Sequence, residues 1–149
     1  GQVEANTLSH HTFNSIDILP TISHLTGASL PENEVDGENV WDLITHEEGA
    51  TNPHDYYAFT NGSQFQAVIS GDGRWKLHLP HNYRTVVKGG KDGIPGKYVN
   101  VNIDTALFDL LHDPYEKGDV KEVYPEVAER LLEYANQHRE KFFGAEAAD

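Results

Sequence analysis

The sequence predicts an α+β fold: a four-stranded antiparallel meander packed by a long C-terminal helix and preceded by a short helical segment. Three observations carry this. Apolar residues recur at helical spacing ahead of residue 53. From Tyr56 the period falls to two, interrupted by turn signals at Asn61-Gly62 and Gly71-Asp72-Gly73. From Pro125 the helical period returns and lasts to about Gly144.

Residues 1–13 are polar and unpatterned. "NSIDILPTISHLTG" then reads as a short helix. Asp17 serves as N-cap, Pro20 falls in the first turn where its missing N–H costs little, and Gly27 stands just past the end. Ile18, Leu19, Ile22 and Leu25 make its apolar stripe. Val40, Trp41, Leu43 and Ile44 form a second, shorter helical turn. "THEEGATNPHD" is a polar break that puts a boundary near residue 53. The chain length fits one domain, or a domain with an appendage, which divides as 1–52 and 53–149.

Tyr56 to Thr60 is the first strand, Gln64 to Ser70 the second and Arg74 to Leu79 the third. Phe65, Ala67 and Ile69 share a core face with Trp75, Leu77 and Leu79. Arg74, Lys76 and His78 take the opposite parity, so the third strand has one greasy and one cationic face. Residues 81–104, with "KGGKDGIPGK", read as a long Gly/Lys-rich loop. Loops of that length are usually functional or mobile. Ala106 to Leu110 is the fourth strand and "HDPYEKGD" a turn. Asp109, Asp113 and Glu116 read as turn and cap residues rather than ligands. The C-terminal helix carries Val127, Leu131, Tyr134, Ala135, His138 and Phe142 on one stripe, and "GAEAAD" after it reads as a frayed end.

The net charge is −13, with 24 acidic and 11 basic residues, which argues against a nucleic-acid or anionic-membrane partner for the whole chain. The distribution is uneven. Residues 1–73 hold no Lys or Arg, whereas 74–97 hold Arg74, Lys76, Arg84, Lys88, Lys91 and Lys97 with a single acid, Asp92. A local cationic patch therefore sits on an acidic body. No apolar run approaches the ~20 residues of a bilayer span, and Gly1-Gln2-Val3-Glu4 is neither basic nor apolar, unlike a secretory leader.

With no cysteine, disulfides, thiolate metal sites and a cysteine nucleophile are excluded within the chain. His78 and His81 flank a strand end and could reach one ligand, but no neighbouring carboxylate completes a metal set, and none is predicted. "GGKDGIPGK" fails as a phosphate loop, because Lys91 stands where the first Gly is needed and Tyr98 where Ser or Thr is needed. No G-x-S-x-G is present. No complete catalytic set emerges, and no catalytic residue is assigned.

A run of local patterns points further. "SIDILPTISHLTGASLPENEVDGENVWDLI", "HDYYAF", "GRWKLHLPHNYR", "ALFDLLHDPYEKGDV" and "YPEVAERL", in that order, resemble the C-terminal part of arylsulfatase-type sulfatases of the alkaline-phosphatase-like superfamily. The resemblance runs from about Ser15 to about Leu132.

It implies that the chain is the end of a sulfuric ester hydrolase. A large α/β domain upstream would carry the calcium ligands and a formylglycine made from a C/S-x-P-x-R motif. No such motif exists here: the nearest, Ser29-Leu30-Pro31-Glu32-Asn33, lacks the Arg. In the family, the segment matching Ile16–Leu25 packs against that domain, and the sheet-plus-helix unit docks beside the active-site cleft. The resemblance thus implies substrate-binding roles for His78, His81, Tyr83 and Arg84, with cations and imidazoles for the ester's anionic oxygens and Tyr83 for stacking on a ring. It also implies a periplasmic or secreted parent enzyme, and a chain that is inactive alone. Without the upstream domain, the Ile18/Leu19/Ile22/Leu25 stripe would be exposed and would favour homo-oligomerisation. Two other readings fit the same residues: a stand-alone module binding anionic glycans, and a structural or oligomerisation domain.

Overall fold

The computed structural model describes residues 2–144; of the predicted frayed end, "GAEAAD", all but Gly144 lies outside them. The chain divides into two compact units. One comprises residues up to Tyr57 together with Ile69–Arg74, the other Ala58–Val68 together with residues from Trp75 onward.

The first unit holds α1 (Ile18–Thr26), entered through a single 3-10 turn at Ser15–Asp17, and α2 (Trp41–Thr45). Asp17 corrects an expectation: its side chain makes no capping bond to α1. The capping side chain is Asn14, at the start of the 3-10 turn, its Oδ1 accepting from the Ser15 amide at 2.6 Å. Asp17 is fully buried. It accepts from the Asn14 amide (2.8 Å), the Glu38 amide (3.1 Å), His54 Nε2 (2.7 Å) and the Tyr57 hydroxyl (3.1 Å). One carboxylate therefore ties three sequence-distant segments together. Burial by itself pushes Asp17 upward, but the two amide donors and His54 outweigh it and hold the carboxyl below its ordinary 3.8. Burial also drives the Tyr57 hydroxyl up to about 12, the Asn52 contact opposing and the nearby Asp17 charge reinforcing.

α1 is inverted relative to an ordinary surface helix. Its covered side is Pro20, Thr21 and Ser23, with the Thr21 hydroxyl donating to the Asp17 carbonyl at 2.7 Å and accepting from the Val40 amide at 3.1 Å. The predicted stripe points out: Ile18, Leu19, Ile22 and Leu25 are 46–56% exposed. Gly37 runs so close to the Ile16 carbonyl that a Cβ there would collide with it, and Gly71 stands likewise against the His54 carbonyl. Gly27 ends α1 at φ 70°, as predicted.

The four-stranded antiparallel sheet has the order β1-β2-β3-β6, from β1 (Tyr56–Asn61), β2 (Gln64–Ser70), β3 (Trp75–His78) and β6 (Ala106–Asp109). β1 begins and β2 ends in the first unit; the rest of the sheet belongs to the second. β3 and β6 pair Trp75 with Asp109, Lys76 with Phe108, Leu77 with Leu107 and His78 with Ala106. α3 (Pro125–Phe143) covers the Trp75/Leu77/Leu107 face through Ala128, Leu131 and Ala135. Leu77, Leu107 and Leu131 are fully buried there. Trp75 lies against Tyr124, and Phe65 against His138 and Phe143. The helix is thus rolled slightly from the predicted stripe: Phe142 is 46% exposed, while Ala128, which the stripe omitted, is buried. Alanines suit this contact because they let the helix lie close to bulky sheet side chains.

Residues 81–104 are not a loop. They form a second antiparallel pair, β4 (His81–Lys88) and β5 (Lys97–Ile103), in register from His81–Ile103 to Val86–Tyr98, with a bulge before Lys88–Lys97. The ribbon closes at Asp92-Gly93, both at positive φ (53° and 78°). The flanking Lys91 and Ile94 exchange both amide–carbonyl bonds at 3.2 and 2.9 Å. Asp-Gly is a strong two-residue hairpin signal, and its left-handed pair matches the strand twist. The flanking glycines and lysines concealed it.

Candidate functional site

The second unit carries the predicted cationic strand end. On the β3–β6 face opposite α3 stand Lys76, His78, Ala106 and Phe108, an alternation imposed by the pleat. The cations there are not left open to solvent. Glu116, from the turn after β6, takes Lys76 Nζ on one oxygen at 2.7 Å and His78 Nε2 on the other at 2.6 Å. Lys76 Nζ also lies 5.7 Å from the Phe59 ring centroid. The His78 hydrogen bond is the largest influence on Glu116; partial burial opposes it and Lys76 adds to it, and together they hold the carboxyl at about 2. Glu116 reaches this position with φ 52°. The left-handed region costs a non-glycine residue roughly 1–2 kcal/mol, so the contacts of its side chain hold a strained backbone.

The predicted substrate residues separate into two groups. His78 and His81 stack with ring centroids 5.3 Å apart and planes at 15°, and Tyr83 continues the row at 6.0 Å from His81. His81 is buried and donates through Nδ1 to the Leu79 carbonyl at 2.7 Å. Tyr83 is 41% exposed. His78 Nδ1 is buried without a hydrogen-bond partner among the described residues, which is uncommon in a folded protein. Arg84 stands apart. Strand alternation sends it to the other face of the ribbon, where its guanidinium lies 4.1 Å over the Tyr98 ring. The structure brings together His78, His81 and Tyr83, and not Arg84.

Sequence reasoning missed Glu116 as a partner, placing it only in a turn. A signal was available: Lys76 and His78 share a parity on a strand with no acid of its own, so a counter-charge had to come from elsewhere. Asp113 does act as a turn residue, its Oδ2 accepting from the Lys117 and Gly118 amides at 2.6 and 2.8 Å. Among the described residues no three His, Asp or Glu side chains group as metal ligands, and no helix is long and apolar enough to cross a membrane.

A solved sulfatase structure from Bacteroides thetaiotaomicron, from work on that organism's metabolism of multiple glycosaminoglycans, matches 83% of this chain at 22% identity and a TM-score of 0.54. The matched part is 24% of that chain, so the present sequence spans about a quarter of the structure it resembles. No protein-family model matches the sequence, and no curated protein matches it. The chain has a sulfatase-like fold.

Proposed function

We propose that this chain is the C-terminal portion of an arylsulfatase-type sulfatase, a sulfuric ester hydrolase, and forms the substrate-facing lip of its active-site cleft. The observation that carries this reading is the fold shared with a sulfatase over 83% of the chain but only a quarter of the sulfatase. The outward apolar stripe of α1 supports it, because Ile18, Leu19, Ile22 and Leu25 are 46–56% exposed and a catalytic α/β domain would cover them. In this proposal residues 1–52 belong to the edge of that domain and 53–149 form the C-terminal subdomain.

The bond-breaking chemistry resides elsewhere in this reading. The chain has no cysteine and no Ser in an S-x-P-x-R sequence, so the formylglycine and the calcium ligands are assigned to the upstream domain. What this chain supplies is binding. The row His78, His81, Tyr83 is assigned to a sulfated small molecule or glycan, which would meet Tyr83, the exposed member of the row, as a ring platform, with the imidazoles of His78 and His81 stacked behind it. Arg84 contributes positive charge from the ribbon.

The experiment is substitution within the full-length protein. His78→Ala and His81→Ala are each expected to lower kcat/KM on a sulfate ester about tenfold or more, the scale of losing a hydrogen bond to a charged group. Unchanged Michaelis constants and turnover in both variants would remove the lip. Sulfate-ester hydrolysis by this chain alone would overturn the assignment as a whole.

A further inference from the structure

We infer that the free edge of β5 is an interface with a second copy of this chain, whose own β5 adds to it antiparallel and centred on Asn100, so that two ribbons make one four-stranded sheet. The inference uses only the ribbon and does not rest on the sulfatase reading.

A two-stranded ribbon has two open edges, and the two here differ. No third strand joins β4 or β5 among the described residues. An open edge offers a row of amides and carbonyls to any strand that can reach it, and folded proteins blunt such edges with charges, prolines and bulges. β4 is blunted: it carries Arg84, Lys88 and the bulge before Lys88. β5 is not. After Lys97 it reads Tyr98-Val99-Asn100-Val101-Asn102-Ile103, with no charge, no Pro and no Gly. Its register against β4 is unbroken from Tyr98 to Ile103. Such a segment has the composition of strands that stack on copies of themselves. Tyr98, Val99, Asn100 and Asn102 are exposed, so the strand is reachable.

The strand's symmetry selects the occupant. A two-fold axis normal to the sheet keeps each face on its own side, and at the midpoint of this seven-residue strand it passes Asn100. Asn100 then meets Asn100 of the second copy, Val99 meets Val101, Tyr98 meets Asn102 and Lys97 meets Ile103. No cation opposes a cation. The valines of both copies join into one β-branched row, a cross-strand contact that stabilises sheets. Asn is depleted in strands, and packing within the chain gives no reason for Asn100. At the axis its amide has a like amide to bond, as Asn82 Nδ2 already bonds Asn102 Oδ1 across the ribbon at 3.2 Å. Pairing through β4 would instead bring Arg84, Lys88 and the bulge to the seam.

Two energetic terms set the strength. An isolated two-stranded ribbon is marginal in water, and two further strands remove that weakness. The net charge of −13 opposes the approach of two copies. Salt screens this repulsion, with a Debye length of about 10 Å at 0.1 M, so the β5 dimer strengthens as salt rises, whereas an ionic pairing weakens.

The test is register-specific cross-linking, which is clean because the chain has no cysteine. Asn100→Cys, with oxidised glutathione as the oxidant, is expected to give a disulfide-linked dimer. Asn102→Cys is expected to stay unlinked. Its two copies lie about 13 Å apart along the seam at ~3.3 Å per residue, beyond the roughly 7 Å Cα separation that a disulfide spans. Sedimentation should show a dimer fraction that rises with protein concentration and with salt. Asn100→Lys and Asn100→Glu should each weaken association about tenfold, since like charges meet at the axis, and an equimolar mixture of the two should restore it. Circular dichroism confirms that each variant folds. The dimer should persist in Leu19→Lys with Ile22→Lys, which removes the α1 stripe as an interface. A chain that stays monomeric, equal cross-linking at positions 100 and 102, an unrestored charge mixture, association weakened by salt, or loss of the dimer in the α1 variant would each overturn the β5 seam. None of these outcomes bears on sulfate-ester hydrolysis, so the seam and the sulfatase reading fail separately.

Discussion

His78 Nε2 lies 2.6 Å from Oε2 of Glu116, whose other oxygen holds Lys76. The cationic face of β3 is thereby neutralised by a residue forty positions away on a strained turn.

Acid should therefore loosen the second unit. Glu116 is held at about 2 against an ordinary 4.5, so its contribution is complete above about 4.5 and disappears as the pH falls toward 2. The size is about 1–3 kcal/mol. Urea unfolding of Glu116→Gln between pH 6 and pH 2.5 should start from lower stability and show a shallower acid loss than the unsubstituted chain. Parallel curves would contradict the role given to this carboxylate. Glu116→Gly, which relaxes the left-handed backbone, should be more stable than Glu116→Gln by about 1 kcal/mol.

Asp17 should be the most sensitive polar position of the first unit. Asp17→Ala leaves two amides, His54 and the Tyr57 hydroxyl facing a buried gap. The expected loss is about 3–5 kcal/mol, read by denaturant midpoint or by hydrogen exchange at Glu38. Because its folded-state value lies below 3.8, the stabilisation is present above that pH and is lost as the pH drops through the lower value. A loss under 1 kcal/mol would mean that water replaces the carboxylate.

Gly37→Ala should destabilise although it removes no polar group. The added methyl would meet the Ile16 carbonyl, next to the Glu38 amide that bonds Asp17. Overpacking of this kind costs about 1–3 kcal/mol. Gly49→Ala is a poor control because its φ is 81°, so the comparison should be Gly89→Ala, which has open space around its Cβ. Equal effects at both positions would show that the close approach is not the cause.

The stripe of α1 separates the isolated chain from the full-length protein. Leu19→Lys with Ile22→Lys should leave the midpoint of the isolated chain within about 0.5 kcal/mol, since both side chains are half exposed. In the full-length protein the same pair should cost several kcal/mol, as buried unpaired cations do. An unaltered full-length midpoint would mean that no domain rests on this helix.

Local pattern alone determined the β-meander, the fourth strand and the C-terminal helix. Alternation in Trp75-Leu77-Leu79, the turn at Gly71-Asp72-Gly73 and the Pro125 start are signals within a few residues of the structure they specify. The β4–β5 ribbon was equally local, with Asp92-Gly93 at its tip, but neighbouring glycines and lysines gave it the composition of a loop. Only tertiary structure could decide the partners of Asp17 and Glu116. Their donors lie up to forty residues away, and a carboxylate's sequence neighbourhood does not record which distant N–H groups will reach it. The same holds for the substrate residues: Tyr83 and Arg84 are adjacent in the chain, and pairing with β5 put them on opposite faces. Side-chain direction in a ribbon is a property of the pair of strands, and it becomes definite only once the second strand is in register.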